Sequence, residues 1–220
     1  MTIDTTLAFD SDSAITPRVI SQMKAAGVRA VCLYSRNLTG PVVALLGAAL
    51  IRIVVIWENG QGAQPGYYTE ANGAAAARAM LRQLALAGLT GPGVLYACGA
   101  DFDANQAQVS HGTVPFFTGF GGVIKPLGHK AGSYGNGLVN QTLKDKSLVD
   151  YHWVWGVKSS YGTAAFLASN AWHLHQHVTS SRFGILVDDD DINPAFADDY
   201  GGWLPAAAPG ASAPGAAAPG

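Results

Sequence analysis

The chain has 220 residues, 49% of them hydrophobic and only 13% charged, with a formal net charge of −2. That balance lets a large core form and excludes a disordered chain or a basic nucleic-acid-binding surface. No stretch reaches the roughly 18 apolar residues of a membrane span, and the opening "MTIDTTLAFD" lacks the basic-then-apolar pattern of a classical signal peptide.

Taken in chain order, short β-like runs alternate with helical stretches. The strand candidates are "TLAFD" (6–10), "RAVCLY" (29–34), "IRIVVIW" (51–57), "GVLYACG" (93–99), "HKAGSYG" (129–135), "YHWVWGV" (151–157), "AWHLHQH" (171–177) and "FGILVD" (183–188). Between them fall helix candidates. The first, "TPRVISQMKAAG", has Thr16 to cap its N-terminus, Pro17 in its first turn and Gly27 to close it. "PVVALLGAAL", "ANGAAAARAMLRQLALAG", "VPFFTGFGGVIKP", "GLVNQTLKDK" and a short "TAAFLAS" follow. The gap between the last two strands is too short for a helix. Alternation of this kind predicts an α/β fold, an irregular (β/α)₈ TIM-like barrel over residues 1–203. An open doubly wound sheet would want a Gly-rich phosphate loop after the first strand, and none is there. From residue 204 onward the Ala/Pro/Gly-rich tail, 204–220, reads as an extended linker or tether.

In such barrels the chemistry gathers at the C-terminal ends of the strands. Those ends carry Asp10, Tyr34 with Arg36 beyond it, Trp57 and Glu58, Asp101 and Asp103, Tyr134, Trp155, the His175–Gln176–His177 group, and the run Asp188 to Asp191. Period-two alternation puts Asp101 and Asp103 on one face if the fourth strand continues through them. Two close carboxylates push their pKa values apart, which keeps one protonated as an acid while the other stays ionised. An Asx-turn at "DFDAN" is the plainer account of the same residues. Carboxylates interleaved with aromatic rings suit a sugar: acids act on the glycosidic bond and flat rings cover pyranose faces.

The series "LAFDSDSAITPRVISQMKAAGVRAVCLYSRNLTG", "IVVIWENG", "ANGAAAARAML", "VLYACGADFDA", "KAGSYGNG" and "WHLHQH" resembles the glycoside-hydrolase-like domain of unknown function 1906, itself related to the lysozyme-type muramidases of glycoside hydrolase family 25. The likeness runs from about Thr6 to Trp203. It implies a barrel facing peptidoglycan, with Asp10 as the first-strand acid and Asp101 and Asp103 as the fourth-strand pair. It also implies Tyr134 and Gln176 on strands five and seven, and one of Asp188 to Asp191 on strand eight. The muramidases carry Asp-x-Glu where this chain carries Asp-x-Asp, so the proton donor is one methylene shorter.

Two functions follow as expectations. The first is a lysozyme-like peptidoglycan glycan hydrolase, cell-wall associated or extracellular and in the manner of a phage lysin. Asp103 would be its general acid, with Asp101 and Asp10 in support. Glu58, Tyr34, Trp57, Tyr134, Trp155, Gln176, Asp188 and Asp190 would line its groove. The second is a glycan-binding module without catalysis in a phage particle or envelope assembly, tethered to structural proteins through the tail. No cofactor is expected. His173, His175 and His177 alternate on one strand face, but no carboxylate or cysteine can be placed beside them by spacing, so no metal is assigned. "VDDDDINP" lacks the glycine and the terminal glutamate of an EF-hand. Cys32 and Cys98 sit in apolar runs and read as buried free thiols.

Overall fold

A computed structural model describes residues 8–58 and 60–205. The linker expected at 204–220 and the start of the first strand candidate fall largely outside these residues. The strands are β1 (Ala8–Ser11), β2 (Ala30–Tyr34), β3 (Arg52–Trp57), β4 (Val94–Cys98), β5 (Lys130–Gly135), β6 (Tyr151–Val154), β7 (Leu174–Arg182) and β8 (Ile185–Ile192). They close into a barrel in sequence order. The expected α/β barrel is therefore the fold.

The irregularity lies at the seam. β1 to β7 run parallel, whereas β8 is antiparallel to both β7 and β1. A two-residue turn joins β7 to β8, with Phe183 and Gly184 both at positive φ (57° and 78°), which matches the twist of a tight hairpin. The reversal corrects the expectation that the acidic run ends strand eight at the rim. Asp188 pairs with Asp10 at the mouth, and Asp190 lies two residues deeper beside Ala8.

Helices α1 (Pro17–Ala25), α2 (Gly40–Ala49), α3 (Glu70–Leu86), α4 (Gln106–Gln108), α5 (Val114–Ile124), α6 (Gly137–Asp145) and α7 (Thr163–Ala168) wrap the sheet. Thr16, Thr39, Thr69 and Asn136 accept from backbone N–H groups in the first turns of α1, α2, α3 and α6, as capping residues should. A π-helical segment, Val109–Thr113, links α4 to α5. α3 and α5 approach so closely that a Cβ on Gly73 would run into the Phe116 carbonyl, and one on Gly119 into that of Glu70. Phe116, Phe117 and Phe120 fill the layer between these helices and the sheet. Truncating one of them to alanine costs about 3–5 kcal/mol.

The period of two sorts each strand into two cores. Outward residues such as Phe9, Val31, Leu33, Ile53 and Val55 meet the helices. Inward residues such as Ala30, Cys32, Val54, Tyr96, Trp153 and Leu174 fill the barrel. Tyr200 closes its lower end, where its carbonyl accepts from the Tyr96 hydroxyl at 2.8 Å, and Trp203 bridges to Ile53.

Candidate active site at the barrel mouth

Inward-facing residues at the mouth end of the strands, and Glu58 and Trp155 just past β3 and β6, build the mouth. Asp10, Tyr34, Glu58, Tyr134, Trp155, Gln176 and Asp188, with Asp101, Ile56 and Trp153, line a cavity of about 350 Å³. A second hollow of about 390 Å³ shares Asp10, Tyr34 and Asp188 and extends the mouth toward Asp12, Ser13 and Thr179. The two hollows meet at the shared residues Asp10, Tyr34 and Asp188.

Asp10 is the buried anchor, only 2% exposed. Its Oδ2 accepts from Gln176 Nε2 at 2.8 Å, Gln176 Oε1 accepts from the Tyr134 hydroxyl at 2.7 Å, and the Tyr34 hydroxyl reaches Asp10 Oδ1 at 3.5 Å. Burial, reinforced by the charges of Asp188 and Glu58 and opposed by the Gln176 and Tyr34 hydrogen bonds, raises the Asp10 pKa to about 7. Glu58 is also raised to about 7, by burial first and by Asp101 next, against the lowering effect of Arg36. Burial lifts Asp101 as well. Arg36 holds the rim: its guanidinium donates to the Glu58 carbonyl at 2.7 Å, pairs with Asp12 at 2.9 Å and lies over the Tyr34 ring.

The loop after β3 brings Glu58 and Asp101 together. Asp101 N–H donates to the Gly62 carbonyl at 3.0 Å, and the Tyr68 hydroxyl donates to the same oxygen at 2.8 Å. A Cβ on Gly62 would lie 3.2 Å from Asp101 Cβ, 3.2 Å from Cys98 Sγ and 3.6 Å from Glu58 Cγ. Glycine is the residue that lets the loop tuck between the two acids.

Three sequence expectations require correction. β4 ends at Cys98, so Asp101 and Asp103 sit in a bend and do not share a strand face. Asp101 reaches the cavity. Asp103 does not: its Oδ1 accepts from Asn136 Nδ2 and from the Tyr161 backbone N–H, both at 2.9 Å, tying the β4 loop to the start of α6 and to the segment before α7. Trp57, one residue out of phase with Ile56 and Glu58, packs against the outer core, and its indole N–H donates to the Tyr67 hydroxyl at 3.4 Å. Asp190 is fully buried beneath the cavity, where it accepts from Trp153 Nε1 at 2.7 Å. Burial and the charge on Asp10 push it well above the carboxylate range, against the Trp153 hydrogen bond. Ile56 and Trp153 were not singled out from sequence. Their phase relative to Glu58 and Trp155, two residues along, was the available signal.

Both cysteines are free and buried, as expected, and burial raises both thiol pKa values. His173 lies before β7, with its ring stacked on Phe196 and Nδ1 accepting from the His152 N–H. His175 and His177 point away from the barrel interior. Among the described residues, no helix is long and apolar enough to cross a membrane.

The closed eight-stranded barrel thus gathers acids and aromatic rings at its mouth. Residues 5–192 match the Rv2525c-like, glycoside hydrolase-like domain, and the chain belongs to that family. The Tat-secreted protein Rv2525c of Mycobacterium tuberculosis, solved in complex with HEPES, superposes with a TM-score of 0.75 at 22% identity. The match covers 91% of this chain and 100% of that one. The modular autolysin LytC from Streptococcus pneumoniae, in complex with a synthetic peptidoglycan ligand, gives a TM-score of 0.54 at 13% identity over 83% of this chain and 45% of that one. The catalytic domain of endolysin ply40, from bacteriophage P40 of Listeria monocytogenes, gives 0.52 at 15% over 86% and 93%. At these identities the likeness is one of fold. No curated protein sequence matches the chain.

Proposed function

We propose that the protein hydrolyses a glycosidic bond in peptidoglycan or a closely related glycan, in the lysozyme-like manner of family 25 enzymes, and works in the cell envelope or outside the cell. The observation that carries the reading is the convergence of Asp10, Glu58, Asp101 and Asp188 with Tyr34, Tyr134, Trp153 and Trp155 on one cavity. The family's glycoside hydrolase-like domain, the secreted relative and the wall-acting fold neighbours support it.

Glycoside hydrolysis asks for one carboxyl group that is protonated near neutrality and a second that is charged as the oxocarbenium-like state develops. Glu58, half-buried at the rim and raised to about 7, has the reach and the proton for the first role. Asp101, beside it, supplies the negative charge for the second. Asp10, hydrogen-bonded by Gln176 and Tyr34 and raised to about 7 like Glu58, orients the sugar from the floor. Trp155 offers the face on which a pyranose ring lies. This reading moves the proton donor from Asp103 to Glu58 and leaves Asp103 a positioning residue.

The test is release of reducing sugar from purified peptidoglycan by wild type, Glu58→Gln and Asp10→Asn, with a pull-down on the same insoluble wall. Release by the wild type that is lost in Glu58→Gln while wall binding persists establishes the hydrolase. Binding without release by any of the three proteins identifies a wall-recognition module instead.

A further inference from the structure

The sequence pairs His175 and His177 at two-residue spacing but provides no third ligand by proximity in the chain. The hairpin provides it. In the β7–β8 register His175 pairs directly with Asp191, which brings that carboxylate to the same outward face of the sheet. The geometry points to a transition-metal site of the zinc class formed by His175, His177 and Asp191, separate from the cavity at the mouth.

One ligand atom from each of the three residues lies within 4.8 Å of the others. His177 Nε2 is 2.6 Å from Asp191 Oδ2, and the two imidazole centroids are 4.4 Å apart. Ligands at about 2.0–2.1 Å around a tetrahedral zinc lie roughly 3.3 Å from one another. The hydrogen-bonded His177–Asp191 pair would therefore open by roughly 0.7 Å to admit the ion between them, a small rearrangement for His177, whose side chain is 38% exposed. His175 is the second, independent pointer. It is 6% exposed, and its Nε2 is buried with no hydrogen-bond partner among the described residues. A buried imidazole nitrogen without a protein partner, on a side chain grouped with a second histidine and a carboxylate, has a lone pair free for a cation. Two imidazoles and one carboxylate favour zinc over calcium or magnesium, which take oxygen ligands. The His177 side chain, 38% exposed, leaves the cluster reachable from solvent.

The site would tie β7 to β8 on the face opposite Gln176 and Asp190. β7 carries a bulge between Gln176 and Thr179, so a metal clamp at this level fixes the stretch of hairpin that holds Gln176 against Asp10.

The test uses the full chain without an affinity tag, stripped with EDTA and titrated with zinc chloride by calorimetry and by thermal unfolding. The expected result is saturable binding of one zinc per chain, a higher melting temperature, and loss of both in His177→Gln and in Asp191→Asn. No saturable binding by the wild type, or binding that survives in either variant, overturns the site. Cobalt substitution in the wild type guards against a misfolded variant: a tetrahedral visible absorption band supports the assignment, and its absence on saturation counts against it. Magnesium or calcium in place of zinc should leave the melting temperature unchanged.

Discussion

Gln176 on β7 reaches past β8 to donate its amide N–H to Asp10 on β1 at 2.8 Å, while its carbonyl takes the Tyr134 hydroxyl from β5 at 2.7 Å. One amide thus bridges the antiparallel seam and fixes the most buried acid of the mouth. The hydrogen bond favours the charged form of Asp10 and holds back the upward pull of burial.

Replacing Gln176 with leucine removes that restraint. The Asp10 carboxyl should titrate above its wild-type value of about 7, as followed by carboxyl carbon NMR. Losing hydrogen bonds to two buried groups should lower stability by about 1–3 kcal/mol in denaturant titration. A midpoint that stays or falls contradicts the seam geometry.

Asp10 and Glu58 have ordinary values of 3.8 and 4.5 when unfolded and about 7 when folded. Between about pH 4 and 7 the native chain therefore holds more protons than the unfolded one, so stability must fall as pH rises through that window. The contribution is whole below about pH 4 and gone above about pH 7. Asp10→Asn and Glu58→Gln should each stabilise the chain at pH 8, by on the order of 2–4 kcal/mol, and change little at pH 4. Chemical denaturation at the two pH values decides it, with equal effects at both as the failing result.

The same protonation governs turnover. With Glu58 as proton donor, sugar release should decline as pH passes about 7. Glu58→Gln should lose roughly 10²–10⁴-fold in kcat. Asp103→Asn, whose amide Oδ1 can still accept both hydrogen bonds but without the charge, should lose no more than about 1 kcal/mol of stability and keep most of its activity once folded. If Asp103→Asn is as inactive as Glu58→Gln while melting like the wild type, the proton donor is Asp103 after all.

Gly62→Ala tests the packing between the acids. The added methyl would meet Asp101 and Cys98 at 3.2 Å, too tight without movement. A displacement of about 1 Å at a reacting group can cost about a hundredfold in rate. Activity should therefore fall further than the melting temperature suggests. Unchanged kcat in Gly62→Ala means Asp101 does not need its present position.

The barrel and much of its mouth were legible in the amino-acid order. Strand periodicity, the helix cap at Thr16 and the rule that chemistry sits at strand ends pick out Asp10, Tyr34, Glu58, Tyr134, Trp155 and Gln176, because side-chain phase along a strand is a local property. The same phase, applied strictly, would have turned Trp57 outward. Other features were decided only by tertiary structure. Asp101 and Asp103 part company because a bend replaces the strand and Asn136 and the Tyr161 N–H, 33 and 58 residues away, claim Asp103. Asp190 is buried and Asp188 is at the rim because β8 runs backward, a direction set by pairing with β1 and β7. Asp191 meets His175 for the same reason: register between strands joins residues that chain spacing keeps apart.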